Sequence, residues 1–167
     1  MKFCQECGTG LIEKELEHEG IVPYCPHCQQ FRFPMYNVAV SMIVVNDAKH
    51  EILLIKQYGR DRYVLVAGYV NRTECLEDAV RREVKEETGM TVSDIHFNRT
   101  KFFEPSNTLM CNFTAHVADA SEFAPNYEVD SAHWFPFEEA RAAIDPNILA
   151  GKFLNAYLDD LEREAQG

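Results

Sequence analysis

Runs of apolar residues separated by polar turns dominate the chain from Val38 onward. Runs of this kind, rich in β-branched residues, are typical of strands that contribute to a folded core. The first two runs flank a polar stretch at residues 46–50, which favours a hairpin. We therefore predict strands at residues 38–45, 51–56, 63–67, 91–98, 109–118 and 131–135.

The last third of the chain carries a helical pattern. Apolar positions recur at helical spacing in residues 137–143 and 148–164, and the sequence Asp-Pro-Asn at 145–147 separates the two predicted helices. Residues 121–126 are predicted to form a loop. Strands combined with helices in this way predict an α/β fold with a mixed sheet and helices packed on its faces.

A further helix is predicted within residues 68–90, and its apolar face is unusual. The segment opens as a loop, becomes helical at Leu76 and ends at Gly89, because glycine adopts the left-handed conformation of a helix end at little cost. At about 100° per residue, two carboxylates continue the apolar stripe of this helix. The shared face contains Leu76, Ala79, Val80, Glu83 and Glu87.

Carboxylates on a buried helix face need a partner. Arg82 can pair with Glu86 one turn later, but not with the whole acidic cluster. A divalent cation would neutralise the remaining charge, and hard carboxylate oxygens favour magnesium or manganese. The alternative is that these carboxylates are simply exposed to solvent, as the charged residues of most acidic helices are.

Two pairs of cysteines near the start of the chain have the spacing of a metal site. Cys4 and Cys7 form one C-x2-C pair, Cys25 and Cys28 form another, and seventeen residues separate the pairs. Four thiolates at this spacing suit tetrahedral zinc in a structural site, since no coordination position is left open. Two disulfides or a redox-active pair are the alternatives. We expect His27 to be an exposed loop residue and not a ligand.

These patterns predict two domains, a zinc ribbon at residues 1–34 and a larger α/β domain at residues 35–167. The connector at residues 29–36 is rich in aromatic side chains, among them Phe33. They either dock the ribbon on the larger domain or contact a substrate.

Composition and charge narrow the class of protein. The 167 residues are 46% hydrophobic and 26% charged, which is typical of a globular protein with one ordinary core. A polar start, no long apolar run and six cysteines lead us to expect a protein of the reducing cytoplasm, without a membrane span. The net charge of −11 disfavours nonspecific binding to nucleic-acid backbones. An acidic protein that acts on phosphates should need cations at its site.

Residues 68–90 resemble the Nudix box of the nucleoside-diphosphate-linked-X hydrolases at every defining position. The matching residues are Gly68, Glu74, Arg82, Glu83, Glu86, Glu87 and Gly89, with apolar Val84 and Met90. A ribbon placed before this box resembles the NADH pyrophosphatase branch of the superfamily. The resemblance implies a Nudix-type α/β/α sandwich preceded by a small zinc ribbon, and a homodimer.

The resemblance also implies residue roles. The catalytic set is Glu83, Glu86 and Glu87, with Arg82 and Glu74 orienting the carboxylates. Magnesium or manganese would be held by Glu83, Glu86, Glu87, Glu128 and the backbone carbonyl of Ala67, and zinc by Cys4, Cys7, Cys25 and Cys28. Substrate contacts are expected from Phe33, Tyr69, Phe103 and Ala150.

The chain departs from that branch in two places. The pocket motif downstream of the box is replaced at residues 100–108, where Phe103 stands in place of a tryptophan. Cys75 occupies the position where serine or threonine would cap the helix, which should weaken it by about 1 kcal/mol. We expect Cys75 and Cys111 to be buried free thiols.

The implied activity is metal-dependent hydrolysis of a pyrophosphate bond, converting a dinucleotide such as NADH or NAD to two mononucleotides. Other Nudix substrates remain open, namely NAD-capped RNA, ADP-ribose or a damaged nucleoside triphosphate. A non-catalytic nucleotide sensor or interaction module is an alternative of a different class. A zinc-ribbon nucleic-acid protein is disfavoured by the net charge.

Overall fold

The computed structural model describes residues 2–117 and 119–167, and the chain forms two compact units, Met1–Tyr36 and Asn37–Gly167. The smaller unit contains an antiparallel sheet in the order β1-β2-β3, with β1 at Ile12–Leu16, β2 at Gly20–Cys25 and β3 at Gln30–Phe31. Among its described residues, the buried apolar side chains are Cys4, Val22 and Cys25. Hydrophobic packing therefore contributes little to this unit.

A long central strand organises the larger unit. β4 (Asn37–Asn46) is buried over its last eight residues and lies inside a six-stranded sheet. The order is β7-β8-β4-β5-β9, and β6 pairs with residues 39–42 of β4. β4 and β8 are parallel whereas the other pairs are antiparallel, so the sheet is mixed. The other strands are β5 Glu51–Gln57, β6 Val66–Tyr69, β7 Val92–Phe103, β8 Thr108–Val117 and β9 Val129–Pro136.

Helices cover both faces of this sheet. α1 (Leu76–Thr88) packs on one face, where Val40, Met42 and Val44 of β4 contribute to the core. α2 (Phe137–Ala143) and α3 (Leu149–Ala165) pack on the other face, with Ile43 and Val45. Because successive strand residues point to opposite faces, one strand supplies both cores. The predicted α/β class, with helices on both faces of a mixed sheet, is confirmed.

Some predicted boundaries differ from the structure. The third strand of this domain was expected at residues 63–67, but β6 is Val66–Tyr69, because its pairing with β4 includes Gly68 and Tyr69. β7 continues to Phe103, so much of the 100–108 motif lies at its end. The expected loop at 121–126 begins in a single 3-10 turn, Ala120–Glu122. The predicted strand at 109–118 ends at Val117, and Ala118 lies outside the described residues.

None of the helices in the described part of the chain has the length and apolar composition needed to cross a bilayer.

Candidate functional site

Helix α1 brings its carboxylates to the sheet because three of its four apolar residues are fully buried there. Ala79, Val80 and Val84 have no solvent exposure, and Glu83 and Glu87 continue the same face. The side chain of Glu83 is 13% exposed, and Glu87 is 3% exposed. The helix ends as predicted, at a left-handed Gly89 (φ 74°) whose N–H donates to the carbonyl oxygen of Lys85. The two carboxylates are thus not part of a solvated charge run.

Gly68 on β6 allows the backbone to approach Glu83 directly. A β-carbon at this position would lie 1.9 Å from Cδ of Glu83 and 2.0 Å from its Oε1. A side chain at this position would therefore displace the carboxylate of Glu83 from where it lies. The first glycine of the box thus permits the observed position of the Glu83 carboxylate against β6.

Arg82 binds several acidic groups at once. Its Nε and one terminal nitrogen donate to the two oxygens of Glu74 at 2.7 and 2.9 Å. The other terminal nitrogen, Nη1, donates to Glu83 at 2.7 Å and to Glu86 at 3.0 Å. The hydrogen bonds from Arg82 lower the pKa of Glu74 to about 2. The expected pair with Glu86 is present, and Arg82 also binds two further carboxylates.

Glu87 lies outside the reach of this arginine network. Among the described residues it forms no ion pair, and its Oε2 accepts a hydrogen bond from Nε2 of Gln57 at 2.8 Å. Burial raises the pKa of Glu87 to about 8, and the neighbouring charges of Glu83 and Glu128 act in the same direction. Burial also raises the pKa of Glu83, although Arg82 opposes this shift. Two partly desolvated carboxylates with insufficient positive charge are a fitting environment for a cation.

The glutamates open onto a cleft of about 840 Å³ in the larger unit. Most of the predicted site residues line it together: Ala67, Tyr69, Arg82, Glu83, Glu86, Glu87, Phe103 and Glu128. Glu74 contributes through Arg82. The cleft therefore combines acidic groups with exposed aromatic rings, a combination suited to a nucleotide bound through a cation.

One predicted substrate contact, Ala150, is not among the residues that line this cleft. Ala150 is half-buried in the first turn of α3 and packs on the core beneath that helix, while its neighbour Leu149 lines the cleft. Phe33 belongs to the smaller unit, where it is exposed.

Glu128 is positioned by residues that sequence reasoning did not single out. It lies just before β9, where its N–H donates to Oδ1 of Asn126 and its Oε2 accepts from the hydroxyl of Tyr58 at 3.1 Å. Tyr127 also lines the cleft. Tyr58 lies beside Gly59, and a glycine just after the second predicted strand is a sequence signal for a turn. Nothing in the local pattern indicates which carboxylates that turn would reach.

The cysteine pairs of the smaller unit converge. Sγ atoms of Cys4 and Cys28 are 3.9 Å apart, those of Cys7 and Cys25 are 3.5 Å apart, and all four lie within 4.8 Å of one another. A tetrahedral site with metal–sulfur bonds of about 2.3 Å places its sulfurs about 3.8 Å apart, so this set could hold a metal ion. All six cysteines are free, which contradicts the disulfide alternative. His27 is exposed, as expected.

One further residue contacts the cysteine cluster. Arg32 donates from Nε to Sγ of Cys4 at 3.3 Å and from a terminal nitrogen to Glu6 at 2.6 Å. The hydrogen bond from Arg32 is the main cause that lowers the pKa of Cys4, to about 6. Arg32 thus favours the thiolate form of Cys4, whereas hydrogen bonding with Cys7 and burial raise the pKa of Cys28 to about 12.

The expectation for the remaining two cysteines was half right. Cys111 is buried in β8, but Cys75 is exposed. Cys75 is exposed because it is the residue that precedes the first turn of α1, where its side chain forms no capping hydrogen bond.

Comparisons with known proteins agree with this geometry. The family model described as "NUDIX domain" matches residues 35–156. A relative from Vibrio atlanticus (strain LGP32), named NAD-capped RNA hydrolase NudC, is 29% identical over 167 residues, covering 98% of this chain and 60% of the relative. A relative of the same name from Vibrio vulnificus (strain CMCP6) is 33% identical, covering 89% of this chain and 60% of the relative. The chain thus spans about 60% of the length of these curated relatives.

A solved structure supports the fold alone. The crystal structure of a NUDIX hydrolase from Nitrosomonas europaea is 21% identical and superposes with a TM-score of 0.65, covering 100% of this chain and 94% of that one.

Proposed function

The chain belongs to the Nudix family, whose domain model matches residues 35–156, and from this premise we propose that it is a divalent-metal-dependent pyrophosphohydrolase acting on a nucleoside diphosphate linked to a second group. The observation that carries the proposal is the burial of Glu87, without an ion pair among the described residues, beside Glu83 in a large cleft. A structural acidic helix would not retain desolvated, mutually repelling carboxylates.

The residues present fit a hard cation. Glu83, Glu86, Glu87, Glu128 and the carbonyl oxygen of Ala67 are the oxygen donors that we assign to magnesium or manganese. Arg82 donates hydrogen bonds to two of these carboxylates, those of Glu83 and Glu86. Cation binding at Glu83 and Glu86 would therefore compete with these contacts of Arg82.

A bound divalent cation would supply charge neutralisation at the phosphates and acidify an attacking water. The chain's own groups would do the rest. Arg82 and Glu74 orient Glu83, since they form one continuous set of hydrogen bonds. Glu86 is 56% exposed, so it is the box carboxylate best able to exchange a proton with solvent or to bind a second cation.

For the substrate we propose a dinucleotide such as NADH or NAD, cleaved to two mononucleotides. Tyr69 and Phe103 present aromatic surface in the cleft that could stack on a base or nicotinamide ring. NAD-capped RNA is the second candidate, because the relatives that match nearly the whole chain carry that name. We also propose that Phe33 and Ala150 contact the substrate.

A nucleotide panel tests the activity. The purified protein is incubated with NADH, NAD, NAD-capped RNA, ADP-ribose and nucleoside triphosphates in the presence of magnesium or manganese, and the products are separated by chromatography. A dinucleotide should yield two mononucleotides, whereas a triphosphate would release pyrophosphate. Absence of metal-dependent turnover on every substrate would favour a nucleotide sensor instead.

A substitution of Glu87 tests whether the activity resides in the cleft. We expect Glu87→Gln to lower kcat by at least about 100-fold, since removing a metal ligand should exceed the 10–100-fold effect of an outer partner. Glu77→Gln is the matched control, because Glu77 is exposed in the first turn of the same helix. A folded Glu87→Gln protein with full turnover would contradict the proposal.

For the smaller unit we propose a structural zinc ion bound by Cys4, Cys7, Cys25 and Cys28, with residues 1–34 as a zinc ribbon and 35–167 as the Nudix domain. The convergence of four sulfurs supports it. Elemental analysis should find one zinc per chain; no metal together with four reactive thiols would contradict it. We also propose a cytoplasmic location, because free thiols are typical of a reducing compartment. We further propose a homodimer, which light scattering would test.

A further inference from the structure

The turn that follows β5 contacts two of the cleft's acidic groups through consecutive residues. Gln57 donates from Nε2 to Oε2 of Glu87 at 2.8 Å. Tyr58 donates from its hydroxyl to Oε2 of Glu128 at 3.1 Å. Glu87 lies on α1 and Glu128 lies at the entrance to β9, so one turn joins the two separate sources of carboxylates.

The same turn also forms a hydrogen bond with the segment that carries Glu128. The N–H of Gly59 donates to Oδ2 of Asp130 at 2.6 Å, two residues beyond Glu128. The turn itself is closed by the N–H of Arg60, which donates to the carbonyl oxygen of Gln57 at 3.1 Å. A register shift between Lys56 and Gln57 interrupts the pairing of β5 with β9 at this point. Such irregularities re-aim side chains at the end of a strand.

The backbone of Tyr58 is unfavourable for a tyrosine. Its φ is 55°, and Gly59 follows with φ 67°. A turn with positive φ at both central positions prefers asparagine or glycine, since bulky side chains are rarely found in the left-handed region. Packing does not compensate, because the side chain of Tyr58 is 66% exposed. The contact of its hydroxyl with Glu128 is the interaction that a glycine or asparagine at this position would lack.

We propose that the turn at residues 57–60 positions Glu87 and Glu128 for cation binding, with Gln57 and Tyr58 as positioning residues. The inference rests on the proposed function of the cleft. Each hydrogen bond engages Oε2 of its carboxylate, and we assign Oε1 to the cation. A carboxylate already held in place loses less conformational freedom when it binds.

Manganese binding tests the two contacts separately from catalysis. Mn²⁺ affinity is measured by electron paramagnetic resonance on the full, zinc-loaded chain for wild type, Gln57→Met and Tyr58→Phe. Both variants keep the size of the side chain and remove the donor. We expect affinity to fall by about tenfold in each, the typical effect of losing an outer partner of a metal ligand. Turnover should return towards the wild-type kcat at saturating Mn²⁺, because positioning and not chemistry is impaired.

A second pair of variants separates positioning from folding. His50 lies in the β4–β5 hairpin, is exposed, and also has a positive φ of 54°. Replacing either residue with glycine relieves backbone strain, so Tyr58→Gly and His50→Gly should both raise Tm, by roughly 2–4 °C. Only Tyr58→Gly should weaken Mn²⁺ binding. A more stable protein that binds metal less well is not the result of a merely structural role.

The outcomes distinguish this inference from the function on which it rests. If wild type and Glu87→Gln bind Mn²⁺ equally, the cleft is not the metal site and the proposed function fails. If binding depends on Glu87 but Gln57→Met and Tyr58→Phe bind as wild type does, the turn has no positioning role and the proposed function stands. Unchanged affinity in only one of the two variants removes the role of that residue.

Discussion

At the scale of single residues, the acidic groups of the cleft differ in whether they have a cationic partner. Arg82 supplies hydrogen bonds to Glu74, Glu83 and Glu86, so these carboxylates have a cationic partner. Glu87 is more deeply buried and receives only the neutral amide of Gln57 among the described side chains. Burial therefore favours its protonated form in the metal-free protein, and a bound cation would favour the charged form.

The raised pKa of Glu87 predicts a pH dependence of stability without metal. Between its ordinary pKa of 4.5 and about 8, the unfolded chain loses this proton while the folded chain retains it. The stabilising contribution is complete below pH 4.5 and is lost as pH rises towards 8. Glu87→Gln has no proton to lose, so at pH 8 it should be more stable than wild type by about 1–3 kcal/mol.

Urea unfolding in chelator at pH 4.5 and pH 8 measures this difference. Trp134, the single tryptophan, lies in β9 and reports on the larger unit. Glu77→Gln serves again as the control for loss of a charge. Equal free energies of unfolding for wild type and Glu87→Gln at pH 8 would contradict the prediction, because ionising Glu87 would then not destabilise the folded protein.

At the scale of elements, α1 is held by its buried face and not by its first turn. Its N-terminal flanking residue, Cys75, has an extended backbone and no side-chain capping hydrogen bond. Glu77 and Asp78 in the first turn partly compensate, because negative charge is favourable at that end of a helix. The end of the helix that begins the box is therefore weaker than its C-terminal end at Gly89.

A capping substitution should strengthen this helix. We expect Cys75→Ser to increase the free energy of unfolding by about 1 kcal/mol, because the hydroxyl can accept a hydrogen bond from a free N–H of the first turn. Cys75→Ala removes the thiol without adding an acceptor and is the matched control. Urea denaturation would compare the two. If the serine variant is no more stable than the alanine variant, the free N–H groups of the first turn already form adequate hydrogen bonds with solvent.

The elements themselves were largely predictable. The α1 stripe, the hairpin of β4 and β5 and the two final helices follow from local periodicity, and the structure places all of them near the predicted bounds. β6 was misplaced because its extent depends on which residues of β4 it pairs with. Cys75 was predicted to be buried because cysteine usually is, but a position just outside a helix end is exposed.

At the scale of the whole molecule, the two units differ in what can hold them together. The larger unit has apolar cores on both faces of its sheet. In the described part of the smaller unit, two of the three buried apolar residues, Cys4 and Cys25, belong to the cysteine cluster. With so small a core, the unit would depend for its folding on the zinc ion that we propose.

Loss of zinc should therefore unfold the smaller unit selectively. We expect Cys28→Ser to increase hydrogen exchange throughout residues 2–36, with free energies of opening reduced by several kcal/mol, while β4 and α1 keep their protection. Hydrogen-exchange mass spectrometry measures both regions in one experiment. Glu87→Gln is the control, since it alters the other site and should leave residues 2–36 unchanged. Retained protection in Cys28→Ser would contradict a structural zinc.

The sequence by itself determined the features that depend on neighbours a few residues apart: most strands of the larger unit, the acidic stripe of α1, its glycine end and the cysteine spacing. The tertiary structure decided which distant groups meet. Gln57 reaches Glu87 across thirty positions and Tyr58 reaches Glu128 across seventy. Local periodicity is set by backbone geometry within one element, whereas these contacts depend on the order of strands in the sheet and on a turn with left-handed backbone. The same reason explains why Gly68 could be identified as part of a motif, but its close approach to Glu83 only became visible once β6 and α1 were packed together.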